Sequence, residues 1–171
     1  MRNCTECPLH ESRKNAVPGE GPARAELMLV GEAPGAREDE EGRPFCGAAG
    51  DYLDNLLEQV GLDRDSIFIT SVVKCRPSDN REPHRGEAET CTELHLERQI
   101  ELIAPRIVVL LGRVAARYVL GETGRLSDVH GELRKQDDRG WLLTYHPAAA
   151  MRFPEPGERI REDFRKAARL L

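Results

Sequence analysis

The chain has 171 residues, of which 39% are hydrophobic and 32% charged, and its formal net charge is −5. These figures predict one globular domain with a single core, and they exclude a disordered chain or one that spans a membrane. The acidic balance counts mildly against a nucleic-acid partner unless a basic footprint is concentrated locally.

The N-terminal segment MRNCTECPLHESRKN has no apolar run of the signal-peptide kind, which predicts a cytoplasmic protein. It carries Cys4 and Cys7 as a C-x2-C hook. A first strand is predicted over Glu26–Val30. The loop Gly31–Gly50 follows, rich in glycine, proline and acids, and opens with GEAPG. Asp51–Val60 reads as a helix with Leu53, Leu56, Leu57 and Val60 on one face. A second strand, Ile67–Val73, runs into the loop Lys74–Arg85. That loop sets Lys74, Arg76, Arg81 and Arg85 against Asp79 and Glu82. Next come a helix over Gly86–Ala104, a strand over Ile107–Leu111 and a helix over Arg113–Leu120. A strand over Trp141–Tyr145 and a helix over Arg159–Leu171 end the chain. Alternating strands and helices imply a parallel sheet covered by helices on both faces. In such sheets ligands bind where loops leave the carboxyl ends of strands. Gly31, Ser71 and His146 lie at or just past such ends and can converge on one pocket.

Cys4, Cys7, Cys75 and Cys91 form a second constellation, the last two separated by fifteen residues. In a reducing compartment they point to a metal or a reactive thiol rather than to disulfides. Four thiolates can close a tetrahedral zinc site or hold an iron–sulfur cubane, and spacing does not choose between them. Either would pin a polar terminus to the body of the protein. Cys46 has no partner at ligand spacing and reads as a small buried residue beside the pocket. The GEAPG turn alone is a weak phosphate cradle. It lacks the Lys and Ser/Thr of a P-loop and the G-x-G-x-x-G spacing.

Taken in order, CTEC, NAVPGEG, GEAPG, GRPFCGAAG, SVVKCRPSDNREP, Cys91, QIELIAPRIVVLLG and YHPAAA run through nearly the whole chain. This ordered set resembles the family 4 uracil-DNA glycosylases, the iron–sulfur type. The resemblance implies a three-layer α/β/α sandwich with a four-stranded parallel sheet. It also implies one [4Fe–4S] cluster on Cys4, Cys7, Cys75 and Cys91. The expected substrate is uracil-containing DNA, single- or double-stranded, attacked by a monomer.

A uracil inside a duplex must be flipped out to be reached. The resemblance makes Phe45 the ring it stacks on, and the base is expected between Phe45 and His146. Departing uracil carries negative charge, and a donor aimed at its O2 stabilises it; His146 is the candidate. Gly31, Glu32 and Ala33 line the same turn. Better-known uracil glycosylases carry a carboxylate at the position of Ala33. Here Glu32 and nearby backbone groups are expected to hold the attacking water instead. Thymine differs by one methyl, worth only about 1–3 kcal/mol, so its exclusion needs a wall. The resemblance points to Glu38, although the EDEE run also reads as a solvated charge cluster. Ser71 stands where the family usually has Asn. A hydroxyl cannot span O4 and N3–H as an amide can, which opens the range to other deaminated bases such as hypoxanthine or xanthine. Lys74, Arg76, Arg81 and Arg85 are expected to contact phosphates, and Met151 and Arg152 to wedge into the gap left by the flipped base. Two competing readings follow from the same residues. Ala33 and Ser71 suit a non-catalytic binder of damaged DNA, and GEAPG with zinc suits a nucleotide hydrolase.

Overall fold

The computed structural model describes residues 1–136 and 138–171. Its strands are β1 (Leu27–Gly31), β2 (Phe68–Ser71), β3 (Ile107–Leu111), β4 (Leu133–Gln136) and β5 (Arg139–Thr144), in the spatial order β2-β1-β3-β5-β4. β1, β2, β3 and β5 pair in parallel, and β4 pairs antiparallel with β5. The expected four-stranded parallel sheet is therefore present, with one further strand on its edge. β4 reads LRKQ, is half-buried to exposed, and has no apolar periodicity to announce it.

The central strands are buried on both faces. On β1 and β3, Met28, Val30, Val108 and Leu110 point to one core. Leu27, Leu29, Ile107, Val109 and Leu111 point to the other. The first core is roofed by α3 (Arg85–Cys91), α4 (Glu97–Ile103) and α5 (Arg113–Leu120) through Ala88, Ile100 and Ala115. The second is covered by α2 (Ala48–Gln59) and α8 (Pro154–Leu170) through Leu53, Leu57, Ile160 and Phe164. A π-turn over Thr92–Leu96 joins α3 to α4, so the expected single helix bulges in its middle. Short helices α1 (Ala36–Glu41), α6 (Leu126–Val129) and α7 (Pro147–Ala150) lie in the connections. Among the described residues no helix is long and apolar enough to cross a membrane.

The parallel register sets Gly31 beside Ser71 and Leu111 beside Thr144. The β1, β2 and β5 loops therefore leave the sheet at one end, where a parallel sheet opens its ligand crevice.

Candidate functional site

At that end, Glu32, Ala33, Glu38, Phe45, Ser71, His146 and Arg152 line one cavity of about 430 Å³. Phe45 is held in the left-handed region, at φ 48°, a costly conformation for a residue with a side chain. Two glycines make room for it. The Phe45 ring lies over Gly31, where an added Cβ would stand 2.8 Å from Cζ, and a Cβ at Gly50 would overlap the Phe45 carbonyl. Glu38 clamps the loop. One of its carboxylate oxygens accepts the N–H groups of Cys46 (2.9 Å) and Gly47 (2.8 Å), and the other accepts that of Gly35 (3.1 Å). Next in sequence, buried Asp39 accepts from the N–H groups of Lys14 and Asn15. The acidic run is thus only in part a solvated face: Glu38 and Asp39 hold backbone, while Glu40 and Glu41 stand exposed.

His146 follows β5 and caps α7, its Nδ1 accepting from the Ala148 N–H at 3.1 Å. The proton of the neutral ring therefore sits on Nε2. Burial pushes the imidazole down to about 4, with Glu38 opposing, so the ring is neutral at pH 7. Gly112, at φ 95°, leaves room for it; a Cβ there would lie 3.1 Å from the His146 Cβ. The rings of Phe45 and His146 stack with centroids 5.7 Å apart and planes at 29°. Both side chains line the one cavity, the condition for a base that stacks on Phe45 and is met by His146.

Glu32 is half-buried at the cavity, and burial raises its carboxyl above the usual range, helped by Glu82 and opposed by Arg113. Ser71 is 6% exposed, and among the described residues its hydroxyl has no hydrogen-bond partner. Asn80 also lines the cavity, at φ 54°, although no motif in the sequence points to it.

Of the expected phosphate contacts, Lys74 is overturned. It is 1% exposed, with Nζ donating to Thr70 Oγ1 at 2.7 Å and to the Ser71 carbonyl at 2.5 Å. The others stand at the surface with protein partners: Arg76 on Asn80, Arg81 on Glu87 through both terminal nitrogens, and Arg85 on Glu89. After α7, Met151 is 49% exposed and Arg152 lines the cavity. Phe153, 60% exposed, stands beside them and was not singled out from sequence.

Cys4, Cys7, Cys75 and Cys91 line a second, smaller cavity with Arg13, whose guanidinium donates to the Cys75 sulfur at 3.0 Å. Burial raises the Cys7 and Cys75 thiols and pushes Cys91 up to about 11, while Lys74 favours the thiolate at Cys91. Thiols this reluctant to ionise unaided become thiolates on a metal. Among the described residues, no three Cys, His, Asp or Glu side chains converge on the position of a single ion. Cys46 lies apart, its Sγ donating to the Arg43 carbonyl.

A family model described as the uracil DNA glycosylase superfamily matches residues 18–171. Three similar proteins carry the name type-4 uracil-DNA glycosylase. The one from Pyrobaculum aerophilum is 44% identical over 97% of this chain and 86% of its own. That from Sulfurisphaera tokodaii is 45% identical over 98% and 80%. That from Archaeoglobus fulgidus is 41% identical over 99% and 89%.

Proposed function

The chain belongs to the uracil-DNA glycosylase superfamily and excises uracil from DNA, and from that premise we propose how its residues divide the reaction. The observation that carries the proposal is the single cavity shared by Phe45, Ser71, Glu32 and His146 at the open end of the sheet.

A flipped uracil stacks on Phe45 over Gly31, with Ser71 at its polar edge. The bond between uracil N1 and the sugar C1′ breaks, and its electron pair leaves with the base. The His146 Nε2–H donates to uracil O2 as charge gathers there. A neutral donor suits this task, because the ring keeps its proton throughout. Glu32, with backbone groups of the Gly31–Ala33 turn, orients the water that adds to C1′, and the proton this water sheds neutralises the departed uracil anion. Glu38 stands as the wall against the thymine methyl, held in place by its three backbone donors. Arg76, Arg81 and Arg85 contact phosphates, a local basic footprint that offsets the net charge. Met151, Arg152 and exposed Phe153 fill the gap left by the flipped base.

Cys4, Cys7, Cys75 and Cys91 hold a [4Fe–4S] cluster. An all-thiol donor set around one cavity is the donor chemistry that such a cluster takes. Its part is structural, fastening the N-terminal segment and the loop after β2. In this reading the protein acts in the cytoplasm as a monomer.

Abasic-site formation on oligonucleotides bearing uracil, thymine, hypoxanthine or xanthine tests the reading, alongside iron and sulfide analysis. Uracil must be released and thymine spared. Purine release supports a second reading, a range broadened by the short arm of Ser71.

A further inference from the structure

Lys74 is fully buried between the two sites. A buried amine is costly unless its donors are satisfied. Its partners are neutral oxygens, the Ser71 carbonyl and Thr70 Oγ1. Thr70 Oγ1 in turn donates to the Pro18 carbonyl at 2.9 Å, which Gln99 Nε2 also reaches at 2.7 Å. The Lys74 carbonyl accepts from the Val17 N–H at 2.7 Å. Lys74 also lines the cysteine cavity, and Cys75 is the next residue. Lys74, directly and through Thr70, thus ties the last residue of β2, which lines the base cavity, to the loop of Val17 and Pro18, to α4 and to the cysteine cavity.

We propose that Lys74 is a positioning residue for base recognition: it fixes the Ser71 main chain so that its hydroxyl meets the base edge, and it links the order of the cysteine centre to that geometry. Among the described residues no other side chain donates to the Ser71 carbonyl. The carbonyl and the hydroxyl belong to one residue at a strand end, so a shift of the first moves the second. The proposal rests on Ser71 facing the base.

The test compares Lys74→Met, Thr70→Val, Thr70→Ser and Ser71→Ala with the unaltered protein. It reads iron and sulfide content, single-turnover uracil release, and affinity for an oligonucleotide carrying an abasic site. Removing the donor should slow single-turnover release about tenfold in Lys74→Met, with iron retained and abasic-site affinity within about twofold. Thr70→Val should slow release less, and Thr70→Ser, which keeps the hydroxyl, should match the unaltered protein. Full iron with an unchanged rate in Lys74→Met overturns the proposal, as does a rate that falls only in step with lost iron. Should Lys74→Met fail to fold, the Thr70 pair decides: equal rates for Val and Ser overturn it. A slow Ser71→Ala beside an unaffected Lys74→Met removes the proposal but leaves Ser71 at the base. An unaffected Ser71→Ala beside a slow Lys74→Met removes the route through Ser71.

Discussion

At His146 the placement of one proton decides what the ring can do. Nδ1 is occupied by the Ala148 N–H, so the donor is Nε2. His146→Ala should lower single-turnover uracil release by about 10²–10³, the usual cost of losing an oxyanion donor, with abasic-site affinity retained in a direct binding assay. The pH dependence has a definite sign. The folded ring takes its proton only near 4, whereas an unfolded chain takes it near about 6.5. Stability is therefore full above that upper value and is lost as the pH falls from there toward 4. Activity from pH 5 to 8 should show no acid limb from His146. Urea titrations and rate profiles across that span check both statements. At Ser71, replacement by Asn supplies a donor and an acceptor together. Ser71→Asn should raise the ratio of uracil to hypoxanthine release in the oligonucleotide panel. Residues of this kind were legible because they fall at strand ends inside short motifs. Lys74 was not: it reads as one of the basic residues of its loop, with Arg76, Arg81 and Arg85, and only packing reveals that its side chain turns inward.

The loop from Gly35 to Gly47 is an element whose shape is maintained against strain. Phe45 sits at a positive φ, and the Glu38 carboxylate gathers three backbone donors to keep it there. Glu38→Ala leaves those donors without their acceptor. It should cost about 1–3 kcal/mol, read as a lower thermal midpoint, and should slow uracil release because the stacking ring loses its station. Gly50→Ala should do likewise, since its Cβ would overlap the Phe45 carbonyl. The other elements explain what sequence periodicity could and could not deliver. β1 and β3 are continuous apolar runs buried on both faces, and they were placed to within a residue. β4 has one apolar residue in four and escaped notice. The last helix begins at Pro154, five residues before the expected start. Two prolines and a glycine looked like loop, although proline is well suited to a helix's first turn.

Across the whole molecule, the cysteine cavity joins segments far apart in the chain: the N-terminal hook, the residue after Lys74 and the end of α3. If the metal supplies folding energy there, Cys91→Ala should lose iron and expose the N-terminal segment to limited proteolysis, while the sheet, built from other residues, persists in circular dichroism. The ligand set was legible as a pattern of thiols; its nature was not, since spacing alone suits zinc equally well. β5, the strand that delivers His146, lies in the interior of the sheet, bonded to β3 on one side and to β4 on the other. Its amide hydrogens should exchange with deuterium only through global opening. The oxyanion donor is therefore carried by some of the last structure to melt, and on heating, turnover and fold should disappear together.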